Sequence, residues 1–413
     1  MKQFFKKLLI VFAVLLSLPV FNLQTAQAES TPGGPDLNTT AALAFDEKSG
    51  QLLYSQNADK KVAIGSITKV VTLYLVTKAI HEGNLKWTDK IKPTQAQAEM
   101  TQHDELTNVS LDANKEYTVQ QLYQAAWIVS SNSAAMMLAQ KVGGTEINFI
   151  KLMRKTLKSW GIKDAEIDNV SGLNNSYLYK GMYLGKTDSE NKLSANDIAI
   201  VSKHILDQYP EVLKTTSQPE LTFPSNEGDK IYKSLNLLLK GNRDYQEGYE
   251  FDGLKTGTTK QAGDSFVGTF PIHNTRIVTI VMDVKGEAND KDKRFRATQN
   301  LAHYILDNYD YRTALKKNQQ VTFSKKEKYK TYREVKVWMP HDFNPNSFLY
   351  EKSTGNLGFN VAQGKKQAKL IIKNLPGGYI QYPQVKHAIK KIVPKKTKPS
   401  FWENIGNFFK HLF

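Results

Sequence analysis

The order of sequence patterns predicts an α+β unit followed by a smaller all-β unit. Between residues 41 and 309 the pattern runs strand, strand, several helices, strand, strand, helix. That is the order of an antiparallel sheet with helices laid on it. After about Tyr311 it changes to short alternating strands separated by turn residues. Charge separates the same two regions. The 413-residue chain has a net charge of +16. Residues 29–310 hold 32 basic and 35 acidic side chains, whereas residues 311–413 hold 21 basic and 5 acidic ones, so the whole excess belongs to the second region. A chain 40% hydrophobic and 23% charged is neither disordered throughout nor a polytopic membrane protein. With no cysteine it can have no disulfide, Cys-ligated zinc, iron–sulfur cluster or thiol nucleophile.

The elements follow in order. Lys2, Lys6 and Lys7 precede an apolar run from Leu8 to Phe21 and then Ala26-Gln27-Ala28. A basic start, a short apolar stretch and an Ala-x-Ala site predict a secretory signal peptide over 1–28. The run is shorter than the roughly 18–20 residues a spanning helix needs. Residues 29–40 are a small-residue linker. Ala41–Phe45, a turn at Glu47–Gly50, and Leu52–Tyr54 predict a hairpin. Residues 66–82, 118–141 and 146–160 have helical patterns, the second interrupted near Ser130. Ser194-Ala-Asn-Asp197 is a capping-box-like start for a helix to about Tyr209. Ser265–Phe270 and Arg276–Val284 predict paired strands, and 292–309 a helix.

In the second region, strands are expected around Val321, Val335–Trp338, Gly358–Val361 and Lys369–Ile372, a small β-sandwich-like domain over 312–393. The chain closes on a Lys/Pro linker and Ser400–Phe413. On a helical wheel its Phe401, Trp402, Ile405, Phe408, Phe409, Leu412 and Phe413 share an arc of about 140°. Residues 394–413 are therefore expected to anchor at an anionic membrane surface, with Lys395, Lys396 and Lys398 near the headgroups. An exported chain does not meet nucleic acid, so the basic region predicts lipid and wall polymers as its partners.

Three short motifs carry the chemistry. Ser66-Ile-Thr-Lys69 opens a helix, where residues i and i+3 share a face. A serine hydroxyl needs a base to become a nucleophile, and a desolvated lysine can be that base. Ser130-Ser131-Asn132 interrupts an apolar run, and buried polar groups need hydrogen-bond partners. The segment caps a helix at a break or forms the polar wall of a cleft. In Lys255-Thr256-Gly257-Thr258 the Lys and Thr suit a carboxylate, and the Gly permits close backbone approach.

Together, separated by 64 and 125 residues, these motifs resemble those of the penicillin-recognising serine enzymes. The similarity is strongest to the low-molecular-mass penicillin-binding proteins, the serine-type D-alanyl-D-alanine carboxypeptidases. Asn169-Val-Ser-Gly-Leu173 and Arg294-Phe295 extend it, as does the domain order. The resemblance implies a penicillin-binding, β-lactamase-like transpeptidase domain over 41–311. It implies that Ser66 attacks the bond between two D-alanines of a peptidoglycan stem peptide and that Lys69 takes its proton. Ser130 would pass that proton to the leaving amine, and Asn132 would bind the substrate amide. Lys255, Thr256, Gly257 and Thr258 would hold the carboxylate and the oxyanion, with Arg294 a candidate for carboxylate steering. β-Lactams would acylate the same serine. No cofactor or metal is implied. Ser131 stands where Gly is frequent, and Thr258 where His is frequent.

Two other readings fit the same motifs. A class A-like β-lactamase would use a Glu to activate the deacylating water, and Glu166 lies between the second and third motifs. A non-enzymatic β-lactam sensor or wall-binding module would keep the fold for recognition alone.

Overall fold

The computed structural model describes residues 34–225, 228–287, 290, 292–324, 327–331, 334–341, 348–351, 356–363, 366–371 and 389–391. The expected signal peptide and terminal amphipathic helix lie outside the described residues.

Five antiparallel strands build the central sheet: β1 (Thr39–Asp46), β2 (Leu52–Gln56), β3 (Gly253–Thr259), β4 (Gly263–Ile272) and β5 (Thr275–Val284). Their order is β2-β1-β5-β4-β3, which leaves β3 and the third motif on an edge. The period-two side-chain alternation of a strand divides the apolar residues between two cores. Leu43, Phe45, Val278, Ile280 and Met282 face one core; Ala42, Ala44, Ile277 and Val281 face the other.

The first core is helical. α1 (Thr68–His81) runs through it with eleven of its fourteen residues buried. A helix apolar on nearly every face belongs inside a protein, and Val70, Leu73 and Val76 show why this one does. Around it lie α2 (Asn132–Gly143), α3 (Glu146–Ser159) and α4 (Ala195–Gln208). The expected capping box of α4 is present, the Ser194 hydroxyl accepting from Asp197 N and the Asp197 carboxylate accepting from Ser194 N. The interruption near Ser130 is a turn of π-helix over Ala125–Val129, followed by Ser130 in the left-handed region at φ 65°. The second core is covered by α5 (Lys293–Asn308).

Strand β6 (Tyr309–Leu315) continues directly from α5 and pairs with β7 (Val335–Pro340). This pair is fastened to the central sheet by Trp338, which is fully buried. Its indole N–H donates to Asp46 Oδ2 at 2.9 Å, and its backbone N–H and C=O are both bonded by the Gln51 amide. Further strands follow as two three-stranded sheets. One pairs Gln320–Ser324, Glu327–Thr331 and Ile389–Lys391; the other pairs Phe348–Glu351, Asn356–Gln363 and Lys366–Ile371. Among the described residues no helix is long and apolar enough to cross a membrane.

Candidate active site

The nucleophile segment is shaped before α1 begins. Ser66 sits in a single 3₁₀ turn, Gly65–Ile67, and α1 starts two residues later. Gly65 has φ +50°, and a Cβ there would meet Thr258 N at 3.0 Å. From the opposite side, a Cβ on Gly257 would lie 2.5 Å from Ile64 O. The glycine of the third motif therefore lets edge strand β3 press its backbone onto the turn that carries Ser66.

Lys69 lies one turn further along and has no exposed surface. Its Nζ is 2.9 Å from Ser66 Oγ, 2.7 Å from Asn132 Oδ1 and 2.8 Å from the Ser171 carbonyl oxygen. Two of these neighbours only accept. A neutral amine donates its two hydrogens to them and offers its lone pair to the serine hydroxyl, the geometry of a base. Burial holds the Lys69 amine well below the ordinary lysine range, and the charge of Lys255 lowers it further. Lys255 is itself buried and pushed down to about 7, by desolvation first and then by Arg294.

The break between the π-turn and α2 gives the second motif two tasks. Ser131 caps α2, its hydroxyl accepting from Ala134 N at 3.3 Å while donating to Asn108 Oδ1 at 3.1 Å. Asn132 faces Lys69, and its Nδ2 donates to Thr107 O at 3.0 Å. Ser130 is 2% exposed in its left-handed conformation, and its hydroxyl has no hydrogen bond among the described residues. So the capping reading holds for Ser131, while Asn132 turns its side-chain oxygen to the Lys69 amine.

On the strand side, Lys255 Nζ contacts Thr256 O at 3.2 Å and Thr256 Oγ1 at 3.4 Å. Arg294 is not a surface group. It is 5% exposed and sits behind β3, donating to Gly257 O at 3.1 Å, Thr258 Oγ1 at 2.7 Å and the Asp264 carboxylate at 2.5 Å.

The structure thus brings Ser66, Lys69 and Asn132 into hydrogen-bond contact and sets the Lys255–Thr258 strand beside them. Sequence reasoning missed the Ser171 and Thr107 carbonyls. The Asn169–Leu173 segment could have signalled the first, but its role is a backbone acceptor with no side-chain signature.

A family model for D-alanyl-D-alanine carboxypeptidase matches residues 25–286, and those residues contain all three motifs. The chain belongs to this family. It is a serine-type D-Ala-D-Ala carboxypeptidase of the low-molecular-mass penicillin-binding class. The chain is 25% identical over 342 residues to the D-alanyl-D-alanine carboxypeptidase DacF of Bacillus subtilis, covering 81% of each chain. The crystal structure of a peptidoglycan synthesis regulatory factor (PBP3) from Streptococcus pneumoniae matches with a TM-score of 0.68 and 30% identity, over 83% of this chain and all of that one. Penicillin-binding protein D2 of Listeria monocytogenes, in its cefotaxime-bound form, matches at 30% identity and a TM-score of 0.53, over 66% of this chain and 98% of that one.

In this carboxypeptidase Glu166 is spent elsewhere. Its half-exposed carboxylate pairs with Lys61 at 3.2 Å and Lys192 at 3.7 Å, across a β-bridge between residues 166 and 192. That placement does not suit the water-activating role the β-lactamase reading requires.

Proposed function

We propose that Ser66 is the acylated residue and Lys69 its base in the removal of the terminal D-alanine from peptidoglycan stem peptides. The contacts of Lys69 carry this reading: two obligate acceptors and one serine hydroxyl around a buried amine. The Ser66 oxygen adds to the carbonyl carbon between the two D-alanines as its proton passes to Lys69. The tetrahedral oxygen is met by the backbone N–H groups of Ser66 and Thr258, a contribution worth about 10²–10³ in rate per donor. As the C–N bond breaks, Ser130 gives its own hydroxyl proton to the leaving D-alanine nitrogen and takes the proton held by Lys69 in its place. Water then cleaves the ester, releasing the shortened peptide and restoring Ser66. Asn132 binds the substrate amide, and Lys255 with Thr256 binds the terminal carboxylate. Arg294 acts on that carboxylate through the strand and through its field, since β3 and β4 hold its guanidinium. A β-lactam presents its carbonyl and carboxylate to the same groups and acylates Ser66.

The reading extends to location. Export through residues 1–28, with residues 394–413 at an anionic membrane surface, places the enzyme beside its substrate. The test is product analysis on a pentapeptide ending in D-Ala-D-Ala. Wild-type protein releases D-alanine and Ser66→Ala releases none. D-alanine release by a folded Ser66→Ala variant would overturn the assignment.

A further inference from the structure

Lys69 owes one of its three contacts to a backbone carbonyl, and a carbonyl is only as well placed as the loop that carries it. The turn at Val170–Gly172 is held from inside by Asn169, whose Oδ1 accepts from Ser171 N at 3.2 Å and Gly172 N at 2.7 Å. Asn191 holds Asn169 in turn. Its Oδ1 accepts from Asp168 N at 2.6 Å and Asn169 N at 3.1 Å, and its Nδ2 donates to Asn169 O at 2.8 Å. The same Nδ2 donates to Thr68 Oγ1 at 3.0 Å, and the Asn191 carbonyl accepts from Ile64 N at 3.0 Å. Asn191 therefore grips the chain on both sides of Ser66 and grips the loop facing Lys69. Both asparagines are fully buried, and the Asn191 amide is saturated with partners. The two segments also touch directly: a Cβ on Gly172 would lie 1.9 Å from Gly65 O.

We propose that Asn191 is a positioning residue for acylation, setting the Ser171 carbonyl against Lys69 by tying the Asn169 turn to the Ser66 segment. The proposal rests on the Ser66–Lys69 reading above. A buried asparagine that only braced the core would affect stability. One that acts through Ser171 also changes how Lys69 titrates, because an acceptor favours the charged amine and its withdrawal favours the neutral one. The charged group acting on Lys69 is Lys255, which the substitution leaves in place.

The experiment measures the acylation rate of the full chain by penicillin as a function of pH, for wild type, Asn191→Ala, Asn169→Ala and the double variant. A misplacement of about 1 Å costs about 10²-fold. The expected result is an acylation rate lowered by roughly 10- to 100-fold for each single variant. Pre-acylation affinity is unchanged, and the rising limb moves to lower pH by the same amount in each single variant and in the double. A lowered melting temperature with rate and limb unchanged overturns the proposal, as do additive effects in the double variant. Asn191→Asp keeps the two acceptor contacts and serves if the alanine variant is unstable. Failure of both to fold shows a stability element and also overturns the proposal. If wild type forms no adduct, the Ser66 reading falls as well; if wild type acylates and Asn191→Ala matches it, only the positioning role falls.

Discussion

On the helical side of the cleft Lys69 is surrounded by neutral oxygens, whereas on the strand side Lys255 lies near a second buried cation, Arg294. Both lysines are buried and both are held below the ordinary lysine range. The difference lies in what each can do with its proton. Lys69 has two acceptors to orient it and a serine hydroxyl against its lone pair, so its neutral form is the useful one. Under the proposed function Lys255 binds the substrate carboxylate, so its charged form is the useful one. The Arg294 charge makes that form harder to keep without an anion present, and an arriving carboxylate reverses the balance. Under the proposed function one amine serves proton transfer and the other anion binding, and their neighbours rather than their residue type make the difference.

The largest break in this comparison is expected from Lys255→Gln. Removing the cation should raise KM for carboxylate-terminated peptides by about 10²-fold, if the lost ion contact is worth roughly 3 kcal/mol. It also removes the like charge that depresses Lys69, so the rising limb of acylation should move to higher pH. Steady-state kinetics across pH checks both. In wild type, binding should weaken as pH rises past about 7, where free Lys255 loses its proton. An unchanged KM would show that Lys255 does not bind the carboxylate.

A smaller kinetic effect is expected from a break on the far face of the sheet. Trp338→Ala removes a fully buried side chain and its bond to Asp46, at a cost of about 3–5 kcal/mol. Because Trp338 touches neither wall of the cleft, D-alanine release from a small peptide should keep its kcat while the melting temperature falls. A matching loss of kcat would show that the β6–β7 pair acts on the cleft.

Four of the five sheet strands, the main helices and the Ser194 cap were legible because they rest on periodicity and on Ser and Asp at fixed offsets, whereas edge strand β3 has too much Gly and Thr to show an apolar alternation. Ser66, Lys69, Asn132 and Lys255 stood out because they fall in three motifs of distinctive spacing, and the structure brings the first three into hydrogen-bond contact. Ser171 was not, because any residue supplies a carbonyl. Asn191 was not, because its side chain makes four hydrogen bonds to three residues, Asp168, Asn169 and Thr68, brought to it by the fold. Arg294 was legible as a charge near the site but not as a buried one. The fastening of β7 to the sheet depends on Gln51 and Asp46, some 290 residues from Trp338, and no local pattern announces such a pair.

Proton transfer from Ser66 requires Lys69 to be a neutral amine in the free enzyme. Nitrogen NMR of lysine-labelled protein, with the Lys69 signal assigned by its loss in Lys69→Arg, tests it most directly. A signal that is already a neutral amine far below the ordinary lysine pKa, and that changes on acylation of Ser66, is the predicted result. A Lys69 that stays an ammonium up to the ordinary lysine range would contradict it.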